Sequence, residues 1–231
     1  MTTIVITGAN RGLGLALARQ YTGDGAHVIA GCRHPDDAEA LRATGAEVHA
    51  LDMSSDESID AFAAEVGDRP VDQLINNAGI DAKALGADDG ERGPLDITSE
   101  QMRGVMNVNV VGPVHLVQLL AANVRAAQGK IANISSQVGS LVVAQRIGRD
   151  VSYNASKAAL NMVTVKQSQV FKADGVTVIC IHPGWVRSDM GGRGADLEPS
   201  EAAASIVGVL NAVTIEHTGS FLNWDGTIHP W

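Results

Sequence analysis

Thr7-Gly8-Ala9-Asn10-Arg11-Gly12-Leu13-Gly14 is the stretch on which the reading of the whole chain turns. It closes the short apolar run Thr3–Thr7 and leads directly into a segment of helical period over 12–23. Small residues let the backbone turn sharply and approach a pyrophosphate, and the free N–H groups at the start of a following helix attract it. A glycine-rich string alone says little. Here it follows the first strand and opens the first helix, with a further βα unit behind it, which is the context a dinucleotide site requires.

Outward from this loop the same rhythm repeats. Apolar runs at Thr3–Thr7, His27–Gly31, Glu47–Leu51, Gln73–Asn76, Lys130–Ile134, Val176–Ile181 and Ser220–Leu222 predict strands. Amphipathic segments near 12–23, 36–44, 55–66, 98–128, 152–173 and 199–212 predict helices between them. Strands that are apolar throughout and separated by helices indicate a parallel sheet covered on both faces. The expected fold is α/β: a single Rossmann-type, doubly wound parallel sheet of about seven strands with helices on both faces. No linker divides 1–231, so one dinucleotide-binding domain is expected.

Composition narrows the partners. Of the 231 residues 45% are hydrophobic but only 3% aromatic, so the core is built from Ala, Val, Leu and Ile. A formal net charge of −9 argues against nucleic acid and anionic membranes, which need a clustered positive surface. Cys32 and Cys180 are far apart and lie in strand-like runs, as buried free thiols do. The histidines are scattered without a ligand spacing, so no metal site is expected. No basic leader and no apolar run near the roughly 20 residues of a membrane span are present, and a cytoplasmic location is expected.

The Gly8-x-x-x-Gly12-x-Gly14 spacing resembles the short-chain dehydrogenase/reductase family, and the likeness continues in order. Asn76-Asn77-Ala78-Gly79 resembles its strand-four motif, Asn109 its helix-four asparagine and Ser135-Ser136 its strand-five serine. Tyr153-x-x-x-Lys157 and Pro183-Gly184 complete the series. The ending 219–231 resembles the branch of signalling-factor-like proteins and small carbonyl reductases. The resemblance implies hydride transfer between a nicotinamide cofactor and a carbonyl or alcohol. It also implies cofactor contacts from Gly8, Asn10, Arg11, Gly12, Leu13, Gly14, Asn77, Ala78 and Gly79.

At Gly31-Cys32-Arg33, where an NAD enzyme places an acid for the adenosine ribose, Cys32 stands instead and Arg33 follows. A guanidinium suits a phosphate. Arg11 points to the same neighbourhood by resemblance, so NADP(H) is favoured over NAD(H). Asp36 and Asp37 are expected in the first turn of a helix, where the dipole favours carboxylates. Asp52 and Met53 are expected to flank the adenine by resemblance, with helix capping a competing role for Asp52.

Tyr153 and Lys157 lie four apart on a predicted helix and so share a face. A tyrosine of pKa about 10 is a poor acid or base at neutral pH, and a fixed ammonium is expected to lower it. The resemblance makes Tyr153 the general acid/base and gives Lys157 the nicotinamide ribose. It also has Ser136 donate to the substrate carbonyl and Asn109 hold a water that links Lys157 to solvent. Ser135 competes with Ser136 for the serine role. His182 is expected as a strand-end residue and Asn154 and Asn161 as structural.

Pro183, Gly184, Val186 and Ser188 are expected beside the nicotinamide. The irregular segments near 80–97, 137–151 and 185–198 leave strand carboxyl ends and are expected to shape the substrate pocket. Gln137, Val138, Val142, Trp185 and Met190 are its expected lining, suiting a ketone or aldehyde with an apolar arm. Arg146 and Arg149 are read as solvated unless the substrate is acidic. The expected partner is a small molecule, with a homodimer or homotetramer by resemblance. Trp231 is a candidate interface or pocket-rim anchor.

Overall fold

The computed structural model describes residues 2–146 and 150–231, so Arg149 lies outside the described residues. The chain alternates β1 (Thr3–Thr7), α1 (Gly12–Gly23), β2 (His27–Cys32), α2 (Glu39–Arg42), β3 (Glu47–Ala50), α3 (Asp56–Val66) and β4 (Gln73–Asn76). It continues through α4 (Ser99–Met106), α5 (Gly112–Leu119), α6 (Ala121–Ala126), β5 (Lys130–Ile134) and α7 (Val151–Phe171). Last come β6 (Thr177–His182), α8 (Pro199–Ala212) and β7 (Phe221–Asn223).

Among the described residues the seven strands form one parallel sheet in the order β3-β2-β1-β4-β5-β6-β7. Successive strand residues point to opposite faces. Ile4 and Ile6 therefore join Leu17, Ala18, Ile206 and Leu210 on the α1/α8 face. Val5, between them, joins Phe62, Leu116 and Val124 on the α3/α5/α6 face. Both faces are covered, which is why the central strands are apolar throughout. Among the described residues no helix is long and apolar enough to cross a membrane.

Two helical expectations are refined. The segment read as a helix over 36–44 is a 3₁₀ turn, Pro35–Asp37, followed by the single turn of α2. Asp36 and Asp37 do sit in its first turn. The long helix over 98–128 is broken into α4, α5 and α6, with a π-helical segment at Asn107–Val111 between α4 and α5. A π segment re-aims side chains relative to a straight helix, and this one carries Asn109.

Strand order reverses between β1 and β4, and ligands of doubly wound sheets bind in the crevice outside that point. The strand ends are clamped there by Thr7, whose hydroxyl accepts from the Asn77 and Ala78 amides, both at 3.0 Å.

Candidate active site at the switch point

The glycine loop is built for close backbone approach. Gly8 has φ of +65°, and a Cβ on it would stand 2.8 Å from the Ala78 Cα, so any side chain would separate β1 from β4. Asn77 holds the loop from the far side, its Nδ2 donating to the Thr7 and Gly8 carbonyls at 2.9 and 3.1 Å. Arg11 occupies the N-cap of α1 in an extended conformation and makes no side-chain cap. The first-turn N–H groups of α1 thus have no side-chain acceptor and remain for an anion. Gly12 and Leu13 lie on this half-exposed turn, and Asn10 is exposed beside it. A cradle of this shape fits a pyrophosphate.

Arg11 Nη1 reaches Asp189 Oδ2 at 2.7 Å, tying the glycine loop to the loop after β6. In the same place a Cβ on Gly12 would stand 3.5 Å from the Ser188 Cβ.

At the end of β2, Cys32 is buried and Arg33 exposed. Burial pushes the Cys32 thiol up, as befits an unreactive core residue. Burial also raises the Asp52 carboxyl, but hydrogen bonds from Ser54 and the charges of Arg33 and His34 hold it below the usual range. The cap of α3 is Ser55, which accepts from the Ser58 amide, so Asp52 is free of the capping role. Met53 is buried, its carbonyl in close approach to Gly112 of α5.

The catalytic candidates converge at the ends of β4 and β5. Tyr153 stands on the first turn of α7, with Ser136 near enough to its phenol to lower the phenol's pKa. Ser135 is buried and donates to Asn161 Oδ1 at 2.6 Å, which leaves Ser136 as the serine that faces the phenol. Lys157 is buried one turn further on, its Nζ 5.5 Å from the Tyr153 ring centroid and donating to the Ile134 carbonyl at 2.8 Å. Asn109 Oδ1 accepts from the Ile80 amide at 2.8 Å, and its Nδ2 donates to the Ile80 carbonyl and Ser156 Oγ. A Cβ on Gly79 would lie 3.4 Å from both Asn109 Oδ1 and Lys157 Nζ, so the three meet across that glycine.

One electrostatic expectation is overturned. Burial pushes the Tyr153 phenol up to about 12; the Ser136 hydrogen bond lowers it, and the Asp81 and Asp150 carboxylates raise it further. Burial likewise pushes Lys157 down to about 8. The ammonium is spent on a backbone carbonyl and does not pull the phenol down, so the phenol is held as an acid.

The loop after β6 doubles back on itself through Arg187 N to Leu197 O at 2.8 Å and Leu197 N to Trp185 O at 3.1 Å. Pro183 and Gly184 start it, Gly184 packed against Leu197 and Trp224. Val186 is buried at the turn. Ser188 Oγ accepts from the Gly191 amide, and Trp185 Nε1 donates to the Gly191 carbonyl. Trp185 and Met190 remain half-exposed. Gln137 and Val138 form a 3₁₀ turn capped by Ser136, and Val142 is exposed beyond it. Arg146 is exposed.

His182 ends β6 as expected, and its ring lies 5.4 Å from that of His229. Burial, with His229 beside it, pushes it down to about 4. Trp231 is anchored inward: its carbonyl accepts from Ser140 Oγ at 2.9 Å and its ring packs on Phe221. Sequence reading missed Thr7, Asp150 and Arg92. The acid directly before a predicted helix was the only local signal, and only for Asp150.

A nucleotide cradle at the switch point, beside a Ser–Tyr–Lys–Asn cluster whose Lys157 and Asn109 are buried, defines the class: an oxidoreductase on a doubly wound sheet. The chain belongs to the short-chain dehydrogenase family, whose description "short chain dehydrogenase" matches residues 2–197. It is 34% identical over 174 residues to the C-signal of Myxococcus xanthus, covering 74% of this chain and 99% of that one. It is 32% identical to the 1-hydroxy-2-glutathionyl-2-methyl-3-butene dehydrogenase of Rhodococcus sp. (strain AD45), with all of both chains covered. Among solved structures, the NADPH-bound carbonyl reductase from chicken fatty liver superposes with a TM-score of 0.88 at 29% identity, covering 100% of this chain and 99% of that one. The carbonyl reductase Sniffer of D. melanogaster gives 0.89 at 28% identity, with 100% of both chains covered.

Proposed function

We propose that the protein is an NADP(H)-dependent reductase of ketones or aldehydes in which Tyr153 delivers the proton. The observation that carries this is the convergence of Ser136 and Lys157 on Tyr153, the Lys157 Nζ 5.5 Å from the ring centroid and Asn109 buried beside it across Gly79. The cofactor supplies a hydride to the carbonyl carbon. As negative charge develops on the substrate oxygen, Ser136 donates a hydrogen bond and Tyr153 donates its proton. A phenol held at about 12 is protonated throughout the neutral range, the state that reduction needs. Lys157 fixes the ribose of the nicotinamide, and Asn109, with a lone pair of Oδ1 still free, holds the water that returns the proton from solvent.

The α1 N-terminus would hold the pyrophosphate and Arg33 the 2′-phosphate, while Asp52 and Met53 would hold the adenine and Val186 and Ser188 the carboxamide. NADP or NADPH is named in the structures of two reductase neighbours, the chicken enzyme and one from Burkholderia multivorans. Gln137, Val138, Val142, Trp185 and Met190 line a mainly apolar entrance. Assembly of copies through α5 and α7 is supported by the exposed Val111, Leu119, Met162 and Val170 on or beside them.

The test is loss of NADPH absorbance with a panel of ketones, aldehydes and quinones, for the wild type and Tyr153→Phe. The variant is expected to bind NADPH normally and to lose turnover by about 10²–10⁴-fold, the usual share of a general acid. Near-normal turnover in Tyr153→Phe overturns the assignment.

A further inference from the structure

We propose that Asp150, with Arg92 as its counter-charge, is a positioning residue for this reaction: it locks the first turn of α7 to the loop after β4 and sets the charge balance around the Tyr153 hydroxyl. The proposal rests on the reading of Tyr153 as the proton donor.

An N-cap needs one oxygen, and caps are commonly solvated. Asp150 is only 7% exposed and uses both oxygens. Oδ1 accepts from Ser152 Oγ at 2.6 Å and from the Tyr153 amide at 3.0 Å, holding the backbone of the reactive residue itself. Oδ2 crosses to the loop after β4, accepting from the Ala82 amide at 3.0 Å with Arg92 Nη1 at 3.8 Å. Arg92 answers from the other direction: its carbonyl accepts from the Val151 amide at 3.0 Å. Its guanidinium also meets Asp81 at 3.3 Å and Asp89 at 2.7 Å. The segment Ile80–Arg92 is therefore fastened at Ile80 by Asn109, at Ala82 by Asp150 and at Arg92 by the start of α7. Helix cap and substrate loop become one unit around the phenol.

The charges are as specific as the hydrogen bonds. A nearly buried carboxylate is costly without a partner, and Arg92, itself largely buried, is the cation supplied. Asp81 and Asp150 both disfavour the phenolate. Among the described residues the other groups near the phenol are Lys157 on the same helix and the neutral Ser136 and Asn109. Glu100 and Arg103 of α4, which packs on α7, are exposed. Burial holds the donor protonated, the Asp81 and Asp150 carboxylates add to it, and the Arg92 guanidinium paired with both acids offsets them, so that either substitution alters the balance, in opposite senses.

The experiment compares pH profiles of kcat at saturating NADPH, with a carbonyl substrate the wild type reduces, for Asp150→Asn, Arg92→Gln and the double variant. Asn preserves a good cap acceptor, so Asp150→Asn removes the charge while keeping the helix start. Reduction needs the protonated phenol, so its rate falls as pH rises through the phenol's pKa. Asp150→Asn is expected to move that fall to lower pH by on the order of one unit, and Arg92→Gln to move it higher by a similar amount. The double variant is expected to fall between them. Shifts of the same sign, or no shift in Asp150→Asn, overturn the proposal. Because the chain has only two tyrosines, Tyr21 and Tyr153, ¹³C-labelled tyrosine NMR titrates the phenol without turnover. If Tyr153→Phe stays active, the donor reading falls. The NMR titration then decides this proposal alone, an unmoved Tyr153 signal in Asp150→Asn overturning it.

Discussion

On the β1–β3 side of the switch point the two arginines are exposed and loosely held: Arg33 is exposed, and Arg11, its side chain 67% exposed, meets the 77% exposed Asp189 that reaches over from the loop after β6. On the β4–β6 side Asn109, Asp150 and Lys157 are all buried and bonded to one another or to backbone. The two sides do different work. A cofactor phosphate brings its own charge to exposed arginines, and affinity grows from contacts made only on binding. The reaction side has to be assembled before substrate arrives, since a misplaced or solvated donor loses most of its effect.

The comparison has measurable consequences, the largest on the buried side. Lys157→Met removes the Nζ donor from the Ile134 carbonyl together with the support proposed for the nicotinamide ribose. Turnover is expected to fall by about 10²-fold or more, with a lower thermal midpoint, because a buried carbonyl loses its donor at about 1–3 kcal/mol. A variant that keeps its turnover would break the contrast, since burial would then carry no function. On the exposed side, Arg33→Ala is expected to weaken NADPH binding by about 10- to 100-fold, the scale of one charge-assisted hydrogen bond. NADH binding and the thermal midpoint should hardly change, and equal weakening of both cofactors in titrations would remove the 2′-phosphate from Arg33. The smallest effect is expected for Asp189→Asn. An exposed ion pair is worth at most about 1 kcal/mol, so the denaturant midpoint should barely move. A large loss would show that the glycine loop and the loop after β6 are structurally coupled, and would sharpen the comparison by moving that contact to the structural side.

The pH response follows from the same contrast. With the phenol held up to about 12, reduction stays flat through neutral pH and declines only in strongly basic solution. Oxidation of the corresponding alcohol, which needs the phenolate, should rise over the same range. Initial rates in both directions across pH check the sign.

Much of this was readable from residue order. The glycine loop, the apolar runs and the Tyr153/Lys157 spacing are local signals, and the sheet places each where its neighbours in sequence imply. Other parts were not. Ser135 and Ser136 are adjacent, and only packing gives the first to Asn161 and turns the second to the phenol. Arg11 pairs with Asp189, 178 positions away, at 2.7 Å, a contact that no spacing along the chain announces. Asp150 and Arg92 sat in stretches without periodicity, where a pattern-based reading sees only polar loops.

The sequence by itself determined the doubly wound parallel sheet, the glycine loop at its first turn and the side chains proposed to react, because periodicity and short spacings are written along the chain. Only the tertiary structure decided which way the Tyr153 phenol is biased. Burial and two carboxylates from separate segments outweigh the lysine one turn away, and no spacing along the chain records the loss of water or the arrival of a distant charge.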